Sequence, residues 1–355
     1  MDAEQIVNFA TTMKTRTKAL RERMEDTFDL WRLEEIDWSD VTAAVKSEYR
    51  TMTTNRPRVF CDKIVDELAA GTFKDSIPQY TEGKGEKSNI SMTEQCSYGL
   101  IAQADDNLMA RQLPSIQGQW AFTSTLRGGI VTVPWLSQKK VRGESKLIVD
   151  VIVWDAFNVY WESGIDGLLH CCNIRYASRT DFENSYGKKV AVAEDSQGRI
   201  KIHTFLDKNE QKVVAGNTVV KLLKHNRHHV PAFIIPVGSS YPLQSNRHDD
   251  TWKHWGTDFA DKNKSIWPKE SELLSYQLTT AKEGSRPTLV VEFDGTNNVP
   301  NIPASPWTQG AHVNLDLSKK QNVRPLFQPM LPREVFQLQD QLSSLDSEGS
   351  AAPIF

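Results

Sequence analysis

Residues 258–283 read DFADKNKSIWPKESELLSYQLTTAKE, and Gly284 closes the run. Phe259, Ile266, Leu273, Leu274, Leu278 and Ala281 recur at helical spacing within a strongly polar segment. As one rod its 26 residues would extend about 40 Å at 1.5 Å per residue. Pro268 lacks a backbone donor and is expected to kink or restart it. So polar a helix needs neighbours on more than one side, or it frays. A Pro-rich strand-and-loop segment follows (286–332), and residues 333–345, REVFQLQDQLSSL, predict a second helix. Helix out, compact excursion, helix back is the layout of a protruding hairpin with a small tip. That layout points away from a catalytic pocket.

Working outward, residues 146–237 read as strands. The candidates are 147–154, 159–162, 168–176, 190–194, 200–206, 213–214, 219–223 and 232–237, separated by turn residues such as Gly216-Asn217. Most of this region is expected to be antiparallel sheet. Upstream, Ile6, Ala10, Met13, Thr17, Leu20, Met24, Phe28 and Trp31 form one narrow apolar seam on a long helix. Lys14, Lys18, Arg21 and Arg23 are expected on its wet side, and the seam suits a partner helix or subunit. Pro57 suits the first turn of a helix running to Ala70, 73–80 reads as a short strand, and 88–111 as a helix. Pro114-Ser115 open another helix, which Gly128-Gly129 stop before a strand at 130–136. The fold class expected is α+β.

At 355 residues with 39% hydrophobic and 25% charged content, the chain can bury cores for two or three domains. A net charge of −3 provides no bulk basic field for holding nucleic acid. No secretory leader and no membrane span are read from the sequence. The four cysteines lack metal spacing, and adjacent Cys171 and Cys172 are expected to face opposite sides of one strand. Reduced, structural thiols are expected.

Motifs for phosphate binding or nucleophilic catalysis are missing: no Walker loop, GxGxxG or GxSxG occurs. The strongest chemical cluster is His225-Asn-Arg-His228-His229 with His248, His254 and Asp249-Asp250, a density of imidazoles suggestive of zinc. The spacing is not HExxH, and Arg227 would repel a cation. A polar loop before a strand explains it better. Asp155, Glu162 and Asp166 follow one strand-turn-strand path, and alternation explains them without acid–base chemistry. The ten tryptophans form no aromatic and basic array for single strands.

Four stretches together resemble bacteriophage portal proteins, the ring subunits at the viral head vertex. They are the 55–68 turn and helix beginning Asn55-Arg-Pro-Arg, the helix-Gly-strand passage 119–133, the turn Val153-Trp-Asp-Ala-Phe-Asn-Val-Tyr-Trp-Glu-Ser-Gly, and His229-Val-Pro-Ala-Phe-Ile-Ile-Pro-Val before the polar helix. The resemblance covers nearly the whole chain as an order of elements. It implies a wing (1–256), a first stem helix (257–284), a clip (285–331) and a returning stem helix (332–346). No crown and no tunnel loop can be assigned, since portal chains normally continue past the returning helix.

The function it implies is geometric. Copies, twelve being usual, would close into a ring in the virion, assembled in the host cytoplasm, and pass double-stranded DNA through an axial channel. Channel-lining candidates are Asp258, Asp261, Lys262, Lys264, Lys269, Glu270 and Glu272, whose mixed charge suits sliding rather than gripping. Lys319, Lys320 and Arg324 are candidates for partner contacts in the clip. The expected partners are the terminase motor, a head-tail adaptor, and major capsid or scaffolding protein; no cofactor, metal or enzymatic activity is implied. The alternatives are another virion ring component such as an adaptor, against which length argues, and a metal-dependent hydrolase built on the His225–His254 cluster.

Overall fold

The structure is a computed structural model, and it describes residues 1–34, 51–71, 87–141, 144–164, 167–186, 192–225, 227–238, 255–285, 289–294, 300, 302, 315, 316, 318, 320–325 and 333–350. Among them are eight α-helices and antiparallel sheets, a mixed α+β architecture. None of these helices is long and apolar enough to cross a membrane. The chain divides into two compact units: Met1–Arg32 with Arg58–Asp261, and Leu33–Pro57 with Lys262–Phe355. The second unit thus includes an early segment that the sequence reading left in the first.

In the first unit, the seam forms two helices, α1 (Ala3–Arg16) and α2 (Lys18–Arg32). Asp2 and Gln5 cap α1 reciprocally, bonding each other's backbone N–H at 2.8 and 2.9 Å. At the break, Thr17 donates its hydroxyl to the Met13 carbonyl. Next come α3 (Arg56–Ala70), which belongs to this unit from Arg58 onward, α4 (Lys87–Ala110) and α5 (Ile116–Arg127). Ser115 caps α5, and Gly128 ends it in the left-handed conformation at φ +64°, where glycine avoids a Cβ clash.

Strands β1 (Gly129–Val141), β2 (Glu144–Trp154) and β8 (Phe233–Pro236) form one sheet in the order β2-β1-β8. A five-stranded meander holds β3 (Val159–Gly164), β4 (Gly167–Ser178), β5 (Arg199–Leu206), β6 (Glu210–Ala215) and β7 (Thr218–Lys224) in sequential order. Helix α6 (Arg179–Tyr186) leaves the end of β4, and its Phe182 is fully buried. Strand alternation sorts the meander's side chains to two faces. Ile6, Ala10 and Met13 of α1 pack with Tyr160, Cys172, Ile174 and Phe205. Val159, Trp161, Cys171 and Leu206 join Leu20, Met24, Val131, Val133 and Trp255 in another cluster. The adjacent cysteines do enter separate cores, and burial pushes the Cys172 thiol up to about 12.

The expectation of a helix or subunit against the N-terminal seam is corrected for α1, which lies on the meander, whereas the α2 half does meet a helix, Trp31 standing edge-on to Phe122 of α5 at 5.4 Å. Arg21 and Arg23 also point inward rather than to solvent. Arg21 donates to the Val159 carbonyl at 3.0 Å, with its guanidinium 4.0 Å from the Tyr160 ring centre. Arg23 donates to the Trp255 and Gly256 carbonyls. The strand expected at 190–194 is not formed over 192–194, and the one expected at 73–80 lies outside the described residues.

The second unit contains α7 (Ile266–Ser285), β9 (Leu289–Glu292), β10 (Asn322–Pro325) and α8 (Arg333–Ser350). The two strands pair antiparallel, Glu292 opposite Asn322 and Leu289 opposite Pro325. The helix expected from Asp258 begins only at Ile266, because 259–265 form turns. Its 20 residues extend about 30 Å. Pro268 is the third helical residue, where no intrahelical donor is needed, so it neither kinks nor restarts the helix.

Candidate functional surface: the C-terminal hairpin

Helices α7 and α8 run antiparallel and meet through hydrogen bonds at two levels. Near the root, Trp267 Nε1 donates to Asp346 Oδ1 at 2.6 Å and Asn263 Nδ2 to the same oxygen at 2.9 Å. Farther out, Gln277 donates to Gln339 at 2.7 Å.

The polar character of α7 has a specific cause. Ser271, Ser275 and Thr279 recur every four residues and are buried. Ser275 and Thr279 satisfy their hydroxyl protons on the carbonyl four residues back. The same stripe receives an extended segment from early in the chain. Met52 N–H donates to Ser275 Oγ at 2.8 Å, and Thr54 N–H to Ser271 Oγ at 3.1 Å. Two residues of extended chain and one turn of helix both advance roughly 6 Å, which makes this pairing possible. Just beyond, Arg56 Nη1 donates to Asp346 Oδ2 at 2.9 Å and forms an ion pair with Glu270 Oε1 at 2.7 Å. Sequence reasoning missed Arg56, since nothing near Asn55-Arg56-Pro57 indicates a partner almost three hundred residues later.

The channel-lining candidates separate into different environments. Asp261 and Lys262 are exposed turn residues, and Lys264 is half-buried. Lys269 is exposed and bonds Glu272 at 2.9 Å, whose other oxygen accepts from Tyr276. Glu270 does not belong with them, because its side chain is 5% exposed and committed to Arg56. Burial raises its pKa, with Asp346 adding to the rise and Arg56 opposing it. Asp258 is corrected as well. It sits in the first unit with a 1% exposed side chain, accepting from Thr27 Oγ1 at 3.1 Å and from Ala260 N–H at 3.0 Å. Burial, then Asp261, pushes its pKa up to about 6, against the pull of Thr27 and Arg23.

At the tip, Lys320 pairs with Asp294 at 3.0 Å, and Arg324 with Glu292 at 2.7 Å. Asn322 donates to the same Glu292, and with Arg324 holds that carboxylate below its ordinary range. Both basic residues are thus partnered locally, while Lys319 lies outside the described residues.

Apolar side chains stand on both flanks of α8. At about 100° per residue, Val335, Gln339, Leu342, Ser343 and Asp346 share the side that is buried or half-buried. Leu338 (47% exposed) and Leu345 (49%) lie on one flank of that side, Phe336 (49%) on the other.

No protein-family model matches this chain, and neither does any curated protein. The functional reading therefore rests on the residues.

The other chemical candidates have structural partners. Asp155 forks with Arg127 at 3.0 Å through both oxygens and caps the short 3-10 turn Ala156–Asn158. Glu162 lies 3.2 Å from His170, whose pKa burial lowers against the pull of that carboxylate. Asp166 lies outside the described residues, as do His248, Asp249, Asp250 and His254. His225 is half-buried, its pKa lowered by burial and then by Arg227, whereas His228 and His229 are exposed. Among the described residues, no group of three or more His, Cys, Asp or Glu is placed to hold a metal ion.

Proposed function

We propose that this chain is a portal-type structural subunit. Copies close into a ring, each hairpin contributes to an axial channel for double-stranded DNA, and the β9–β10 tip docks a packaging motor and then a head-tail adaptor. One observation carries the reading: α7 and α8 are an antiparallel pair joined through a small β element, with apolar residues on both flanks of α8. A closed ring needs a subunit with two different neighbours, and a hairpin apolar on two sides suits that requirement. The exposed charge on α7 supports weak handling of DNA, since Lys269 and Glu272 neutralise each other and hold little attraction for phosphates.

Mass photometry of the purified chain, followed by negative-stain imaging, tests the assignment. A species near twelve copies of the 40.2 kDa chain with an annular projection is expected. A monomer or dimer under every condition overturns the ring, and with it the portal reading.

A further inference from the structure

Three charged side chains meet at the root of the hairpin, and their charges do not cancel. Arg56 presents one nitrogen, Nη1, to both Glu270 Oε1 and Asp346 Oδ2, at 2.7 and 2.9 Å. Its second terminal nitrogen reaches Ser343 Oγ at 3.5 Å, the edge of hydrogen-bonding range. Asp346 is fully engaged: Oδ2 faces Arg56, and Oδ1 accepts from Trp267 and Asn263. Glu270 is not. Its Oε2 is buried and, among the described residues, has no hydrogen-bond partner. Among the described residues, the charged groups meeting Glu270 are Arg56 from the 51–57 segment and Asp346 from α8; on α7 itself, Lys269 and Glu272 pair with each other.

With both carboxylates ionised, this pocket carries one uncompensated negative charge and one unsatisfied oxygen, each costly where water is excluded. A proton taken from solvent onto Glu270 removes both problems together. The charge balance becomes neutral, and Arg56 keeps an undivided bond to Asp346. Asp346 already has a donor on each of its oxygens, so Glu270 Oε2 is the carboxylate oxygen of the pair with room for a proton.

We propose that Glu270 is the proton-binding member of a three-segment clasp, and that its protonation tightens the hold of the 51–57 segment and α8 on the root of α7. Burial raises the Glu270 pKa, the direction this requires. Because the folded pKa lies above the unfolded one, the contribution is complete at low pH and is lost as pH rises through the folded value. The clasp is therefore tight in acid and loosens as pH rises through that value, opposite to an ordinary exposed ion pair. This inference goes beyond the ring assignment and does not depend on it.

Hydrogen exchange of the full chain at pH 5 and pH 8, corrected for intrinsic rates, reads the clasp through the amides of α8. Wild-type protection is expected to fall about tenfold between the two. Glu270→Gln is expected to hold acid-level protection at both pH values, and Arg56→Met to lose protection at both. Wild-type pH dependence persisting in Glu270→Gln, or weaker protection than wild type at pH 8, overturns the proposal. Should the variants fail to fold, a carboxyl carbon titration of wild-type protein decides: Glu270 titrating within or below the usual glutamate range overturns it equally.

Discussion

Thr27 donates its hydroxyl to Asp258 at 3.1 Å, joining the middle of α2 to the turn that ends the first unit. The carboxylate is almost wholly buried, and its pKa is pushed up to about 6 from an ordinary 3.8. Sign matters here. A raised folded pKa gives a contribution complete below pH 3.8 and lost as pH climbs through about 6. Asp258→Asn keeps an acceptor for Thr27 and Ala260 while removing the charge. It should therefore stabilise the first unit by about 2 kcal/mol at pH 8 and by almost nothing at pH 4. Thermal melts followed by circular dichroism at both pH values check this, and an equal effect at both would show that charge is not the cause.

Trp267 Nε1 to Asp346 is a hydrogen bond to a buried carboxylate, the kind whose loss costs more than a neutral pair. Trp267→Phe preserves most of the ring volume and deletes the donor. The expected loss is about 1.5–3 kcal/mol, read as faster exchange of the α8 amides. Unchanged α8 protection would mean that Asn263 and Arg56 suffice to hold Asp346.

How legible was this in the chain? Helix α5 was readable to the residue, because Ser115 and Gly128 are local chemistry at both ends. Six of the eight strand candidates between 146 and 237 correspond to β2–β7, and the segment at 232–237 corresponds to β8, since alternation and turn glycines are local too. Helix α6 was missed, although Ser178 accepting the Asp181 N–H was a usable cap signal. What could not be read were contacts of large sequence separation. Arg21 and Arg23 look solvated in a helical projection, and partners far along the chain, the carbonyls of Val159, Trp255 and Gly256 among them, turn them inward. The demand that a polar helix find several neighbours was legible; that Met52, Thr54 and Arg56 answer it was not.

Gly129 lies against Trp255: a Cβ built on it would stand 2.4 Å from the indole ring. Trp255 is buried in the core shared by Val131, Trp161 and Leu206, so the ring has little room to yield. Gly129→Ala should cost about 1–3 kcal/mol through overpacking. The matching surface change, Leu136→Ala, should be nearly neutral. Urea midpoints of the two variants, followed by tryptophan fluorescence, separate steric conflict from general loss of strand stability.

Phe336 and Leu345 occupy opposite flanks of α8 and contribute little within the chain, each being about half exposed. On the ring proposal both become subunit contacts. Phe336→Asp and Leu345→Asp should each leave the helical circular dichroism signal unchanged while shifting the mass distribution from rings toward the 40.2 kDa monomer. By contrast, Arg324→Ala removes an exposed, solvent-screened pair with Glu292 and should alter the melting temperature negligibly. If both aspartate variants still assemble fully, α8 does not supply the subunit contacts and the hairpin's flanks face something other than a second copy.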